Sequence, residues 1–156
     1  MGNFITSTTG LASVDMPRVR FKTRGSSLGL EPSGTAGLVR RVERGLPFKA
    51  FVQFCSQTGL SASRIANVLG IPERTLARRK SADRLAPDES ERLLRLSLIF
   101  EKAVNLFEGR PHRAVEWLTR PKRSLGGESP LDYSRTELGA REVENLLGRL
   151  EHGVFS

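Results

Sequence analysis

The sequence predicts an all-α fold, and three observations carry that expectation. From Ala36 onward apolar residues recur at the three-and-four spacing of a helix face. The run is punctuated by Gly45, Pro47, Gly59, Gly70, Pro72, Pro87, Pro111, Pro121 and the Gly126-Gly127 pair. No stretch of any length alternates apolar with polar residues as a half-buried strand would, and no internal repeat is present. The 156 residues, 38% of them hydrophobic, suffice for one domain or two small ones with a modest core. No window approaches the roughly 20 apolar residues of a membrane-spanning helix, so no membrane partner is expected.

Residues 1–35 are rich in Gly, Ser and Thr, with scattered Pro and few large apolar side chains. Burial there is too small to offset the entropy of ordering, and a flexible basic N-terminal arm is expected. Its start, Met1-Gly2-Asn3-Phe4-Ile5-Thr6, fits the loose myristoylation pattern, and the basic stretch to Arg24 is presequence-like, but no apolar h-region accompanies either. Gly45 to Gly59 reads as a core helix, with Pro47 in the first turn, Phe48, Phe51, Val52 and Cys55 on one face and Gly59 at the C-cap. On that face Cys55, the single cysteine, is a small buried apolar group rather than a nucleophile, because no histidine or acid partner lies near it.

The next segment has the order of a helix-turn-helix. Ser61 is a good N-cap for a two-turn helix whose buried stripe is Ile65, Val68 and Leu69, and Ala66 is small where a second helix must cross. Gly70 permits the positive φ of a tight turn, Ile71 fills the space beneath it, Pro72 begins the second helix and Leu76 anchors it. Glu73, Arg74, Thr75, Ala77, Arg78, Arg79 and Lys80 then occupy the outer surface, the composition a major-groove helix needs. Arg74 and Arg78, one turn apart, are candidates for guanine edges, and Thr75 for a thymine methyl or a phosphate. Arg79 and Lys80 are candidates for the phosphate backbone, as are Ser61 and Ser63 at the start of the preceding helix, and Arg64 is a further DNA-binding candidate. A solvated basic helix in an ordinary bundle is the other reading of the same residues.

Charge divides the chain in the same way. The protein carries 25 Lys and Arg against 17 Asp and Glu, a net of +8, which favours a polyanionic partner. Residues 1–45 contribute +4 and residues 46–87, with seven basic and two acidic side chains, +5; residues 88–156 are near neutral at −1. That asymmetry suggests two jobs on one chain. A single cysteine forms no intramolecular disulfide, and His112 and His152 lie forty residues apart, so neither a disulfide scaffold nor a metal site is expected and the cytoplasm is the natural compartment.

After Pro87, Asp88 and Glu91 have the spacing of a capping box, and a helix of about twenty residues, about 30 Å long, follows with a wide stripe of Leu93, Leu96, Phe100, Ala103, Val104 and Phe107. Pro121 stops the next helix, which contains Trp117 as a core anchor; Gly126-Gly127 makes a turn, and Ser129 with Pro130 caps a short helix. A last amphipathic helix runs on Val143, Leu146, Leu147 and Leu150 and stops at Gly153.

The pattern Trp117-Leu118-x-x-Pro121, Leu125-Gly126-Gly127-x-x-Pro130-Leu131-Asp132, Thr136, Gly139-Ala140-x-x-Val143 and the closing His152-Gly153 resembles the toxin-binding domain of the Xre/MbcA/ParS antitoxins. With the upstream helix-turn-helix, which resembles the Xre type, the likeness covers residues 36–156. It departs from the family at Arg79, where many such helices carry a buried aliphatic, and at Tyr133 and Ser134, where aliphatics are usual. The resemblance implies three parts: an arm over 1–35, an Xre-like helix-turn-helix domain over 36–87 and a helical toxin-binding domain over 88–156. It also implies an antitoxin that is not itself catalytic, takes no cofactor, covers the NAD pocket of a RES-domain toxin and represses its own operon.

The toxin contact is then expected on Leu125, Gly126, Gly127, Pro130, Leu131 and Tyr133, and on Arg149, His152, Gly153, Val154 and Phe155. Operator duplex DNA is the other expected partner, bound by a homodimer, since a single recognition helix offers few base contacts. The competing reading is a stand-alone dimeric helix-turn-helix transcriptional regulator with no toxin partner. An enzyme is disfavoured: no nucleophile and base pair up in sequence, and Gly126-Gly127 lacks the following Lys-Ser or Lys-Thr of a phosphate-binding loop.

Overall fold

The computed structural model describes residues 17–153, and the helical reading holds across them: eight α-helices, two 3-10 turns and, among the described residues, no strand. In chain order the helices are α1 (Thr35–Arg44), α2 (Phe48–Thr58), α3 (Ala62–Val68), α4 (Glu73–Ala82), α5 (Pro87–Leu106), α6 (Pro111–Thr119), α7 (Pro130–Tyr133) and α8 (Glu137–Glu151). The twenty-residue α5 is the axis, packed against α1, α6 and α8. One continuous core runs from Leu28 and Leu46 through Phe51, Phe54, Ile65, Phe100 and Val104 to Leu131, Val143 and Leu147. Phe100 is its aromatic centre, edge-on to Phe54 at 5.6 Å and tilted against Phe21 at 5.7 Å.

Three local expectations need correction. Val52 is 53% exposed, not buried with Phe48 and Phe51. The inward face of α2 is set by Phe48, Phe51, Phe54 and Thr58, a three-and-four series that leaves position 52 on the outer side. The start of α5 is not an Asp88–Glu91 box: Pro87 is the first helical residue, and the Glu89 carboxylate accepts the Ala86 N–H at 2.8 Å. Asp88 instead lies 3.3 Å from Arg92.

The third correction concerns only residues 17–34 of the expected arm. Residues 1–16 lie outside the described residues, but from Pro17 to Gly34 the chain is packed as a strap over α5 and α2. The Val19 N–H donates to the Gly109 carbonyl at 2.7 Å, and Phe21 leans on Phe100. The 3-10 turn Ser26–Leu28 inserts Ser27 and Leu28 into the interior. Glu101, itself 5% exposed, clamps that turn by accepting the Gly25 N–H at 3.2 Å, the Ser27 N–H at 2.9 Å and the Ser27 hydroxyl at 2.6 Å. Composition concealed the strap because it is held by one carboxylate and three scattered apolar side chains, Phe21, Leu28 and Leu30, not by an apolar stripe.

Candidate functional site

The helix-turn-helix forms as its sequence dictates. Ser61 caps α3, its hydroxyl accepting the Arg64 N–H at 3.1 Å, and Ile65, Ala66 and Val68 are buried. Gly70 turns at φ +67°, and Ile71, 4% exposed, donates its N–H to the Ala66 carbonyl at 2.9 Å. Pro72 is the N-cap residue of α4, one position before the expected start. None of the ten residues of α4 is buried. Leu76 is half-buried against the core, Thr75 and Arg79 are half-buried beside it, and Glu73, Arg74, Ala77, Arg78 and Lys80 face solvent. Arg74 and Arg78 thus stand one turn apart on an open surface, with the Arg78 guanidinium 3.4 Å from the Thr75 hydroxyl. Exposed Ser61 and Ser63 lie at the start of α3, and Ser63 lines the groove between α3 and α4 with Asn67, Gly70 and Glu73.

Two cations of this segment are already engaged. Arg79 Nε donates to Glu89 Oε1 at 2.7 Å, the same oxygen that receives the Ala86 N–H, so the departure at Arg79 has a structural role: it ties α4 to the start of α5. Arg64 reaches across to α7, where its guanidinium is held by both oxygens of Asp132, at 2.5 and 3.1 Å. That hydrogen bond raises the Arg64 pKa and holds the Asp132 carboxyl below its usual range, with the Ser129 hydroxyl at 2.9 Å contributing to the latter. Arg74, Arg78 and Lys80 are the exposed cations of α4.

In the rear module the signature residues divide into buried and exposed sets. Leu125 and Leu131, each 2% exposed, and Pro130 lie in the interior. Gly126 and Gly127 turn at φ +66° and +87°, a pair of left-handed positions that glycine alone adopts without strain, and both are exposed. Tyr133 and Arg149 are half-buried, with Arg149 3.8 Å from Glu142; His152 and Gly153 are exposed at the end of α8. Val154 and Phe155 lie outside the described residues. Arg135 pairs with Glu128 across the turn and pulls its carboxyl below the ordinary range.

A residue that sequence reasoning missed lies beside this set. Leu138, in the first turn of α8, is 80% exposed and lines a shallow cleft with Tyr133, Arg135, Thr136, Arg141 and Asn145. Its signal was available: Leu138 falls outside the Val143, Leu146, Leu147 stripe that buries α8. Trp117 is half-buried against Phe107 at 6.4 Å, and the Lys122 ammonium sits 5.2 Å from its ring centre, where burial lowers the lysine pKa.

Burial pushes the Cys55 thiol up to about 11, so it is protonated at neutral pH and poorly suited to act as a nucleophile. Among the described residues no three His, Cys, Asp or Glu side chains are grouped to hold a metal ion, and no helix is long and apolar enough to cross a membrane.

Comparison with known proteins places two family models in succession on the chain. Residues 37–97 match the antitoxin Xre-like helix-turn-helix domain, and residues 102–153 match the antitoxin Xre/MbcA/ParS C-terminal toxin-binding domain. The first match ends and the second begins within α5, which serves both parts. A protein named antitoxin Xre from Yersinia enterocolitica is 36% identical over 141 residues, 90% of this chain and 95% of that one. A second of the same name from Photorhabdus laumondii is 34% identical over 131 residues, 83% and 88% of the two chains. A third, from Pseudomonas putida, is 37% identical over 84 residues, about half of each chain.

Proposed function

The chain belongs to the family of Xre antitoxins, and on that premise we propose that it neutralises a RES-domain toxin, an NAD-depleting enzyme, by covering the toxin's active site, and that it represses its own operon through the helix-turn-helix. What supports the reading is the coexistence of two unlike surfaces on one core. On α4, Arg74, Arg78 and Lys80 stand free in solvent, the arrangement required to read guanine edges and hold phosphate. On the rear module the buried Leu125, Pro130 and Leu131 fix a turn whose exposed parts are Gly126, Gly127 and the Tyr133–Leu138 cleft. Inhibition is steric: a surface laid over a substrate pocket needs shape and apolar anchors, not catalytic groups. DNA is bound by a pair of chains, each supplying one α4 to a half-site.

Co-expression with the product of the adjacent open reading frame tests the toxin half. The expected result is a stable heteromeric complex on gel filtration and a preserved cellular NAD pool. A chain truncated after Pro121 is expected to bind no toxin and leave NAD to fall. Recovery of this chain alone, with NAD depleted despite it, overturns the proposal and favours a regulator without a toxin partner.

A further inference from the structure

We propose that Arg64 is a DNA-phosphate ligand held in reserve by Asp132, so that the toxin-binding module sets how many phosphates the helix-turn-helix can grip. The proposal rests on the DNA-binding reading above and assigns Asp132 as an internal competitor of the DNA backbone. A guanidinium bound by both oxygens of a carboxylate uses the same planar fork of donors that it offers to a phosphate. At 2.5 and 3.1 Å the Arg64–Asp132 pair has that two-pronged geometry, and it spans 68 positions of sequence. The two partners differ in freedom. Asp132 is fixed within α7: its backbone N–H and one carboxylate oxygen both engage the Ser129 hydroxyl, at 3.2 and 2.9 Å, and its neighbours Pro130 and Leu131 are buried. Arg64 carries a flexible stem from the first turn of α3, one residue after exposed Ser63 on the groove beside α4.

Both side chains keep a third or more of their surface in water, 34% for Arg64 and 42% for Asp132, so the exchange of carboxylate for phosphate needs no unfolding. The depressed Asp132 pKa means that the competitor stays charged at neutral pH. Asp132 also sits beside Tyr133 and a few residues from the exposed Gly126-Gly127 turn. A partner seated there that brings a cation to Asp132 releases Arg64 to the duplex, and by linkage a duplex that captures Arg64 leaves Asp132 free for that cation.

The test is a double-mutant cycle read by DNA binding. Wild type, Asp132→Asn, Arg64→Ala and the double variant are titrated with a duplex spanning the region upstream of this gene, and with a random duplex of equal length, from about 50 to 200 mM salt. Asparagine retains an acceptor for Ser129, and a thermal melt of each variant verifies that α7 is kept. We expect Asp132→Asn to bind both duplexes about threefold to tenfold more tightly and to steepen the salt slope by about one. Arg64→Ala is expected to change little in the wild-type background and to abolish the whole gain in the Asp132→Asn background. Binding by Asp132→Asn at wild-type strength and slope overturns the proposal and leaves the DNA reading intact. Equal losses from Arg64→Ala in both backgrounds also overturn it. Absence of duplex binding by all four proteins removes the DNA reading and this proposal with it.

Discussion

The recognition helix and the signature segment are held in opposite ways. α4 buries none of its residues and leans on the core through half-buried Thr75, Leu76 and Arg79, whereas Leu125, Pro130, Leu131, Ser134 and Gly139 of the rear module all sink into the interior. A helix that must enter a groove keeps its side chains in water until it docks, so its sequence looks functional and is weakly anchored. A module that must present a fixed turn spends its most recognisable residues on holding that turn. On the proposed reading, the toxin contact falls on what this segment leaves at least partly in solvent: Gly126, Gly127, Tyr133 and Leu138.

The largest effect separates signature from surface. Leu131→Ala is expected to cost about 2–5 kcal/mol in urea unfolding, the range for a fully buried leucine, and to weaken toxin capture only through loss of the fold. Leu138→Asp, seven residues away, is expected to leave stability within about 0.5 kcal/mol and to lower toxin affinity at least tenfold, roughly 1.4 kcal/mol or more. A Leu138→Asp chain that captures toxin normally would move the contact away from the start of α8.

Gly139 gives the next largest effect. A Cβ built there overlaps the Tyr133 carbonyl oxygen, so Gly139→Ala forces the backbone of α7 and α8 apart and is expected to cost about 1–3 kcal/mol. Helix propensity alone argues the reverse, since alanine favours a helix over glycine by roughly 1 kcal/mol. A higher melting temperature for Gly139→Ala would show that this approach is not what constrains the module.

Two neighbouring arginines bring the comparison onto α4 itself. Arg78→Ala removes a solvent-facing fork and is expected to cost about 1–3 kcal/mol of operator affinity, with base preference relaxed and the fold unchanged. Arg79→Ala strips Glu89, 5% exposed, of its charged partner and is expected to lower the melting temperature while leaving base preference as it was. Exchange of these two outcomes would mean that α4 is rotated in the complex, with Arg79 reading bases.

Much of this was legible in the residues. Ser61, Gly70, Ile71, Ser129 and the Gly126-Gly127 pair announce their caps and turns because each role is local and admits few residue types. The strap over residues 17–34 was not legible, since its hold on Glu101 spans 74 to 76 positions and no local pattern encodes such a partner. The same distance hid Arg64–Asp132: from the sequence Arg64 is one more cation of a basic segment and Asp132 one letter of a motif. For the expected toxin contact, the signature pointed to Leu125, Pro130 and Leu131 among others, whereas hydrophobic burial claims these three for the core.

The smallest expected effect tests whether the two halves support each other through that ion pair. Asp132 has its pKa depressed in the folded chain, first by the hydrogen bond from Arg64 and then by Ser129, so the pair stabilises the fold fully above the carboxyl's unfolded value, about 3.9. That contribution fades as the pH falls below it and through the lower folded value. Both partners are partly exposed, so screening limits it to a few tenths of a kcal/mol, about 1–2 °C in melting temperature for a chain of this size. The difference in melting temperature between wild type and Asp132→Asn is therefore expected to be constant from pH 7 to about 5, to shrink towards pH 3, and to be smaller throughout in 1 M salt. A difference that persists unchanged at pH 2 would assign the stabilisation to Asp132 as a neutral hydrogen-bonding group within α7, and the charge link between the DNA-reading and toxin-binding parts would then contribute nothing to holding them together.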